Sequence, residues 1–263
     1  MGDAPAGKCQ LLRSLHTPGD PLLLPNAWDV ATARAVVAAG FPVVATTSWG
    51  VAESLGFEDD ERAPAEEMLA AAARIARGVD VPVTVDVEAG YGMAPDEVVA
   101  ALLDLGAAGC NIEDTDHSTG ELHPLDDRAD YVAGMREAAE SSGYPLVINA
   151  RVDTLLWPYE AGAAPGSQRA LVGDAVARSN AYLEAGADCA YPVALWEPDA
   201  MDEFMASAAG PVNISRVPQM TSLDGATRAG AARISWAIFL YLDAMARFAE
   251  ELTALRPTDR PTE

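Results

Sequence analysis

Short apolar runs alternate with longer, helix-patterned segments along almost the whole chain. The runs are rich in Val, Ile, Leu and Ala, which is typical of buried strands. Between them, apolar residues that recur every three or four positions predict amphipathic helices at 65–77, 96–105 and 173–185. Strands that alternate with helices predict an α/β fold with a parallel sheet. The predicted strands are 22–24, 43–46, 83–87, 109–113, 146–150, 189–193, 212–214 and 232–235.

A glycine in similar context precedes four of these strands. Gly40, Gly106, Gly186 and Gly230 each follow a helical pattern, at the place where many helices end in a left-handed residue. A repeated helix-to-strand turn indicates a repeated βα unit, and eight units favour a single (β/α)₈ TIM-type barrel. An open, doubly wound sheet is the alternative. No GxGxxG follows the first strand, which disfavours the dinucleotide-binding version of that sheet.

The chain shows no internal linker. We therefore expect one barrel domain over residues 1–255 and a polar tail with two prolines over 256–263. The last helical pattern, 236–255, is strongly apolar on one face and is expected to pack on its own barrel or on a second subunit. Near the first strand, Asn26 or Asp29 is interpreted as a helix N-cap rather than a site residue.

Charge excludes two classes of partner. Lys and Arg number 17 against 40 Asp and Glu, for a formal net charge of -23. Nucleic acids and anionic membranes require basic patches, so neither is expected as a partner. The first residues lack the apolar core of a signal peptide, and no apolar run approaches the about 20 residues of a transmembrane helix. A cytoplasmic location is therefore expected.

Two absences narrow the chemistry. The three cysteines form no CxxC pair, so the sequence predicts neither a zinc site nor a redox motif. Lys8 is the single lysine and lies in the N-terminal segment, which argues against Schiff-base catalysis in a barrel site. If the reaction passes through an enolate, a metal or hydrogen-bond donors, rather than a lysine, would have to stabilise it.

Polar residues collect where the predicted strands end, and in a parallel barrel those ends form the active-site face. Asp86 and Glu88 end the third strand region and Glu113 ends the fourth. Three carboxylates crowded at one end of a barrel repel one another unless some keep their protons or a cation neutralises them. Oxygen ligands with several waters favour Mg²⁺, with Mn²⁺ also suitable. Candidate substrate-binding residues at the strand ends are Thr47, Ser48, Trp49, Gly50, Gly90, Gly92 and Asn213.

The stretch VDVEAGYG, which runs from residue 85 to 92, is similar to a DxDxGYG motif. Around it lie PNAWDVATARAVVAAGF, TTSWGVAESLGFEDDE, CNIEDT, VINARVDTLL and YLEAGADCAYP. In order and spacing these stretches resemble the isocitrate lyase/phosphoenolpyruvate mutase superfamily over most of the chain. The resemblance implies a (β/α)₈ barrel, Mg²⁺, and small substrates of the 2-oxo acid or 2-hydroxy di- and tricarboxylate type, or phosphonates. It also implies homo-oligomers, dimers or tetramers, in which a C-terminal helix is exchanged between subunits.

The same resemblance implies four metal-associated acids. Asp86 matches the acid that approaches the metal most directly. Glu113 and Asp59 match acids that act through water. Glu88 stands where the family has a second Asp, and its extra methylene could keep the metal through water, shift it or weaken it.

Substrate and acid/base roles follow in the same way. Residues 47–49 match the amides and hydroxyls that hold a substrate carboxylate or phosphonate, and Arg151 matches an arginine that grips the substrate. Tyr91 could hydrogen-bond a substrate or merely pack.

One loop departs from the family pattern. The lyases of the family carry a KxCGH loop whose cysteine is the acid/base group, and the phosphonomutases carry a longer loop with an asparagine. Here the stretch is EDTDHSTGELHPL, which has neither signature. His117 is the first candidate replacement, because an unperturbed imidazole titrates near neutrality. Asp116, Glu121 and His123 are the alternatives.

Three functions remain open. The preferred hypothesis is a Mg²⁺-dependent lyase that cleaves a C–C bond of a small 2-oxo or 2-hydroxy carboxylate through an enolate-type intermediate. The second is a phosphonomutase or a related C–P enzyme acting on a phosphonopyruvate-like substrate. The third is a barrel that binds carboxylates without turning them over.

Overall fold

The computed structural model describes residues 3–220 and 222–255 of the chain, so the predicted tail, 256–263, lies outside the described residues. All eight predicted strands form, with boundaries that differ by at most two residues from the predicted ones. The strands are β1 (Leu22–Leu24), β2 (Asn26–Ala27), β3 (Val44–Thr46), β4 (Val83–Asp86), β5 (Gly109–Glu113), β6 (Thr115–Asp116), β7 (Glu121–Leu122), β8 (Val147–Val152), β9 (Cys189–Pro192), β10 (Asn213–Ser215) and β11 (Arg233–Ser235).

The fold is α/β with parallel sheets. One sheet has the strand order β2-β3-β4-β5-β8-β9 and a second has the order β1-β11-β10, and every pairing in both is parallel. A bridge between Ala190 and Val212 connects β9 to the residue before β10, and Pro25 alone separates β1 from β2. The short strands β6 and β7 form an antiparallel hairpin after β5, which the sequence did not predict.

Helices follow the strands in alternation. They are α1 (Asp3–Ser14), α2 (Val30–Ala38), α3 (Ser48–Leu55), α4 (Ala65–Arg77), α5 (Pro95–Leu105), α6 (Leu125–Ser141), α7 (Leu156–Glu160), α8 (Val172–Glu184), α9 (Pro198–Ser207), α10 (Asp224–Ala229) and α11 (Phe239–Ala254). The three internal helices predicted from periodicity are confirmed as α4, α5 and α8.

Local sequence explains where these helices begin and end. In α4 the acids Glu66 and Glu67 occupy the first turn and the bases Arg74 and Arg77 the last, an arrangement that complements the helix dipole. Asp29 caps α2 as predicted, because its carboxylate accepts the Thr32 N–H at 2.7 Å. The four glycines predicted to close helices all have positive φ, from 82° to 106°, so a side chain there would strain the backbone.

Helix α1 covers the amino ends of β5 and β8. Leu12 is fully buried, and its side chain lies 2.8 Å from where a Cβ on Gly109 would be. Arg13 donates to the carbonyls of Pro145 and Leu146, and its Nε–H meets Asp188 at 2.8 Å. The open end of the strands is therefore the opposite, carboxyl end.

Helix α11 begins at Phe239, three residues later than predicted, because Ala237 takes a left-handed φ of 48° that interrupts the pattern. No residue of α11 is buried. Its apolar face carries Leu242, Met245, Phe248 and Leu252, each 41–54% exposed. Across the described ranges, none of the helices has the length and apolar content needed to cross a membrane.

Candidate active site

A cavity of about 690 Å³ opens at the carboxyl ends of the strands. Residues at the carboxyl ends of β3, β4, β5, β8, β9, β10 and β11 line it, as expected for the functional face of parallel β/α units. Its polar lining includes Asn26, Thr47, Ser48, Asp59, Asp86, Asn111, Thr115, His117 and Arg151.

Two carboxylates in this cavity have an oxygen without a partner. Asp86 ends β4; its N–H donates to Thr46 Oγ1 at 2.8 Å, and its Oδ2 accepts the Ser48 N–H at 3.4 Å. Asp59 lies in the segment between α3 and α4. Among the described residues, Oδ1 of Asp59 and Oδ1 of Asp86 are buried and have no hydrogen-bond partner. Buried acceptors that lack a donor are costly unless a proton, water or cation satisfies them.

Burial explains the electrostatics of the pair. It raises the pKa of Asp59 to about 6, and the charge of Asp86 adds to that effect. Burial also raises the pKa of Asp86, while the charge of Arg151 opposes the rise. A cation placed between the two carboxylates would reverse both shifts.

Arg151 is held from two sides. It lies on β8 directly opposite Glu113 of β5 in the sheet register. Its Nη1 contacts Glu113 Oε2 at 2.5 Å and its Nε contacts Asp153 Oδ1 at 2.6 Å. Burial lowers its pKa, but the charges of Asp153 and Glu113 outweigh that effect and raise it well above its usual value. The guanidinium is therefore a fixed cation on the cavity wall.

His117 lies on the hairpin between β6 and β7 and is oriented by two acids. Its Nε2 is 2.6 Å from Glu113 Oε1, and its Nδ1 is 3.8 Å from Asp60 Oδ1. Burial lowers the pKa of His117, but the hydrogen bond and charge of Glu113 raise it to about 9. A pKa of about 9 favours the protonated ring at neutral pH, in contrast to the unperturbed imidazole assumed from the sequence. The ring lines the cavity next to Asp60 and Glu113.

The other acid/base candidates lie away from this cavity. Asp116 is half-buried, and its carboxylate caps the turn by accepting from Ser118. Glu121 is exposed. His123 lines a second cavity of about 490 Å³, together with Gly92, and His117 contributes to the walls of both cavities.

The VDVEAGYG stretch forms a strained turn beside the site. Glu88 and Tyr91 have φ values of 49° and 56°, which non-glycine residues adopt at a cost. Glu88 Oε2 accepts the Glu61 N–H, and Glu61 Oε1 accepts the Tyr91 N–H, both at 2.5 Å. Gly90 has a φ of 104°, and a Cβ there would lie 2.5 Å from the Tyr131 hydroxyl. Backbone geometry and packing therefore explain this glycine.

The four predicted metal acids are not equivalent. Asp59 and Asp86 line the cavity, whereas Glu88 and Glu113 do not. Glu113 is engaged by Arg151 and His117, and its pKa is raised by burial to about 7. Glu88 is also buried, which together with the charge of Asp59 raises its pKa to about 8. Over residues 3–220 and 222–255, no three His, Cys, Asp or Glu side chains form a ready-made ion cage.

The predicted substrate-binding residues divide in the same way. Thr47, Ser48 and Trp49 line the cavity at the N-terminus of α3, where backbone N–H groups favour anions. Gly50 instead packs inside α3, where a Cβ would lie 2.9 Å from the Thr47 side chain. Asn213 is fully buried and donates to Ser235 Oγ at 3.2 Å, so it supports the strands without lining the cavity.

Behind Arg151 lies a buried polar network that the sequence did not predict. Asp153 Oδ2 accepts the Thr115 hydroxyl at 2.6 Å, and the Asp153 N–H donates to Asp114 Oδ1 at 2.9 Å. Asp114 Oδ2 accepts the hydroxyl of Tyr182 at 2.9 Å. The network fixes the carboxylate that orients Arg151.

Two asparagines were also missed as site residues. Asn26 is not an N-cap: it donates to the Thr46 carbonyl and accepts the Trp236 N–H, tying the first strand region to two others at the cavity. Asn111 lies two residues before Glu113 on β5. Alternate residues of a strand share a face, so that spacing was the available signal for Asn111.

Comparison with known proteins agrees with this geometry. The profile of the family described as phosphoenolpyruvate phosphomutase matches residues 12–256. A crystal structure from Burkholderia cenocepacia J2315, provisionally named a phosphonomutase, is 40% identical, with a TM-score of 0.86 over 94% of this chain and 99% of that one. An uncharacterised Mycobacterium tuberculosis protein is 35% identical over 88% of this chain and 85% of its own length.

A relative with a named lyase activity is also similar. The Corynebacterium glutamicum protein named probable 2-methylisocitrate lyase 2 is 30% identical over 83% of this chain and 68% of its own length. Lyases and mutases thus stand among the relatives. The chain belongs to the phosphoenolpyruvate phosphomutase family, within the isocitrate lyase/phosphoenolpyruvate mutase superfamily.

Proposed function

We propose that this chain is a divalent-metal-dependent lyase, with Mg²⁺ or Mn²⁺ as the cation, that cleaves a C–C bond of a small 2-oxo or 2-hydroxy carboxylate. The observation that carries the proposal is the pair of buried, partnerless oxygens of Asp59 and Asp86 in the cavity that Arg151 also lines. The similarity to a relative named as a methylisocitrate lyase supports C–C cleavage.

The donor set fits Mg²⁺. This ion is usually held by one or two carboxylates, with waters and substrate filling its remaining positions. Asp59 and Asp86 would be those carboxylates, and Glu88 and Glu113 would act through water. When bound, the cation would supply positive charge next to a substrate oxygen on which negative charge develops.

The chain's own residues account for the remaining steps. The N–H groups at the start of α3 and the hydroxyls of Thr47 and Ser48 hold the substrate carboxylate. Arg151, fixed by two acids, donates to the oxygen that becomes the enolate oxygen. In a 2-hydroxy substrate the hydroxyl proton passes to water as its carbon becomes a carbonyl, the electron pair of the broken C–C bond forms the enolate, and His117 then delivers its proton to the enolate carbon.

Calorimetry with Mg²⁺ and pyruvate tests the metal assignment. Asp86→Ala should abolish Mg²⁺-dependent pyruvate binding, whereas Asp104→Ala, an exposed aspartate on α5, should leave it unchanged. Unchanged binding in the Asp86 variant would refute the assignment. Binding that persists in the native protein while no 2-oxo or 2-hydroxy acid is consumed would indicate a carboxylate-binding barrel without turnover.

A phosphonomutase is the second candidate function. The similarity to the Burkholderia protein provisionally named a phosphonomutase supports it, and such chemistry does not require the cysteine base that this chain lacks. The N-terminus of α3 suits a phosphonate as well as a carboxylate. ³¹P NMR with phosphonopyruvate separates the two: a new phosphorus signal indicates the mutase, and an unchanged spectrum excludes it.

We also propose that the strands close into one barrel over residues 1–255 and that the chain forms a homodimer or homotetramer by exchanging α11. The Ala190–Val212 bridge and the adjacency of β1 and β2 support closure. The exposed apolar face of α11 supports exchange. Light scattering after size exclusion should show an oligomer that Phe248→Glu dissociates; a monomeric native protein would contradict the proposal.

A further inference from the structure

The cavity is divided into a charged half and an uncharged half. All the charged side chains that line it come from residues 59–160, which follow β3, β4, β5 and β8. Among the described residues beyond position 190, none that lines the cavity is charged. This second half follows β9, β10 and β11, the strands farthest along the sheet order from β4 and Asp86.

The uncharged half is largely apolar. Val193, Val217, Ile238 and Phe239 line it, and Leu156 and Trp157 of α7 extend the same surface toward the mouth. Val217 is 2% exposed, and Trp157 is 36% exposed. The apolar lining therefore runs from the interior to the solvent edge.

The polar groups on this side, which belong to Tyr191, Ser215 and Ser235, are hydroxyls and carry no charge. Ser215 Oγ accepts the Ala194 N–H at 3.1 Å, and Ser235 Oγ is bonded to the side chain of Asn213. A second carboxylate of a substrate placed here would lose its hydration and gain no cationic partner, which is strongly unfavourable. An alkyl or aryl group would instead gain from leaving water.

The size of the cavity agrees with a ligand larger than a four-carbon acid. Its volume of about 690 Å³ falls within the roughly 300–1,000 Å³ of pockets that enclose drug-sized ligands. We propose that the substrate carries one carboxylate, with its neighbouring 2-oxo or 2-hydroxy oxygen, at the charged half and an uncharged alkyl or aryl arm against the apolar half. This inference rests on the proposed function, because it assumes that the carboxylate binds near Asp86 and Arg151.

Two acids of similar shape test the arm. Oxaloacetate and 4-methyl-2-oxopentanoate differ in that a terminal carboxylate replaces a terminal isopropyl group, and pyruvate lacks the arm. With Mg²⁺ present, calorimetry should show that 4-methyl-2-oxopentanoate and phenylpyruvate bind about tenfold or more tightly than pyruvate, as expected for apolar groups in an apolar pocket. Oxaloacetate should bind more weakly than its isopropyl counterpart.

Matched leucine variants locate the arm. Leu156→Ala should weaken binding of 4-methyl-2-oxopentanoate about tenfold and leave pyruvate binding unchanged. Leu103→Ala, on the exposed side of α5 and away from the cavity, should change neither. Trp157→Ala provides the same comparison at an exposed position, so the test survives if the Leu156 variant fails to fold.

The outcomes distinguish a failure of the apolar arm from a failure of the carboxylate site. Tighter binding of oxaloacetate than of 4-methyl-2-oxopentanoate would overturn the apolar arm while leaving the carboxylate site intact. The same holds if the Leu156 and Trp157 variants bind both acids as the native protein does. If pyruvate and every longer acid fail to bind in the presence of Mg²⁺, the proposed function itself falls, and this inference with it.

Discussion

Replacing Glu88 by glutamine should make the metal-free protein more stable at alkaline pH. Glu88 is 2% exposed, and burial raises its pKa from an ordinary value of 4.5 to about 8. Between those values the native state holds a proton that the unfolded state has lost. The contribution of Glu88 to the free energy of unfolding is therefore fully present below about pH 4.5 and is lost as the pH rises through 8.

The expected size follows from the same two values. At 1.36 kcal/mol per pKa unit the whole shift corresponds to about 5 kcal/mol, of which about 3–4 kcal/mol is lost between pH 5 and pH 8. Because Asp59, Glu88 and Glu113 influence one another, the protonation is shared, and we expect about 2–3 kcal/mol from Glu88 itself. A glutamine side chain at this position would keep the acceptor for the Glu61 N–H without the charge.

Urea unfolding of EDTA-treated protein at pH 5, 6.5 and 8 measures this difference. The native protein should lose stability steadily across the series, and Glu88→Gln should lose about 2–3 kcal/mol less. Glu140→Gln, at an exposed position on α6, should follow the native protein. Parallel curves for the native protein and the Glu88 variant would refute the reasoning, because they would mean that Glu88 ionises at similar pH in both states.

Three further substitutions have defined outcomes. Arg151→Lys should weaken Mg²⁺-dependent pyruvate binding roughly 10–100-fold in calorimetry, because an ammonium cannot hold two flanking acids and also face the cavity; unchanged affinity would show that the guanidinium does not contact substrate. Asp188→Ala should lower the free energy of unfolding by about 2–3 kcal/mol, since it removes the carboxylate partner of Arg13 and Arg136, whereas Arg169→Ala at an exposed pair should lower it by less than about 1 kcal/mol. Similar urea midpoints for the two variants would contradict this. Gly50→Ala should destabilise the protein by about 1–3 kcal/mol, because the new methyl group would overpack its surroundings. Gly173→Ala, which has open space in α8, should stabilise it by up to about 1 kcal/mol. Shifts of the melting temperature with the same sign in both variants would refute this packing argument.

The strands were predictable from sequence because each is a short apolar run in a regular alternation with helices. Elements without that signal were missed. The hairpin of β6 and β7 has two-residue strands, too short to show alternation. The start of α11 was placed too early because the apolar pattern continues through Ala237, whose positive φ has no counterpart in hydropathy.

The site was predictable in its members and less so in its pairings. Strand ends identified Asp86 and Arg151, and the loop that departs from the family pattern identified His117; the structure brings all three to one cavity. Sequence could not show that Glu113 is held by Arg151 and His117, because the first contact depends on the register between β5 and β8 and the second on the path of the hairpin after β5. For the same reason the pKa of His117 was expected near neutrality, whereas contact with Glu113 raises it to about 9.

Asp59 and Asp86, the two carboxylates that each have an oxygen without a partner, lie on different kinds of element. Asp86 belongs to a strand fixed by neighbours on both sides, while Asp59 lies in the connection between α3 and α4. If the proposed cation binds this pair, the strand would fix one ligand and the connection would set the position of the other. Changes in the length or composition of that connection would then alter the affinity for the cation while Asp86 keeps its place.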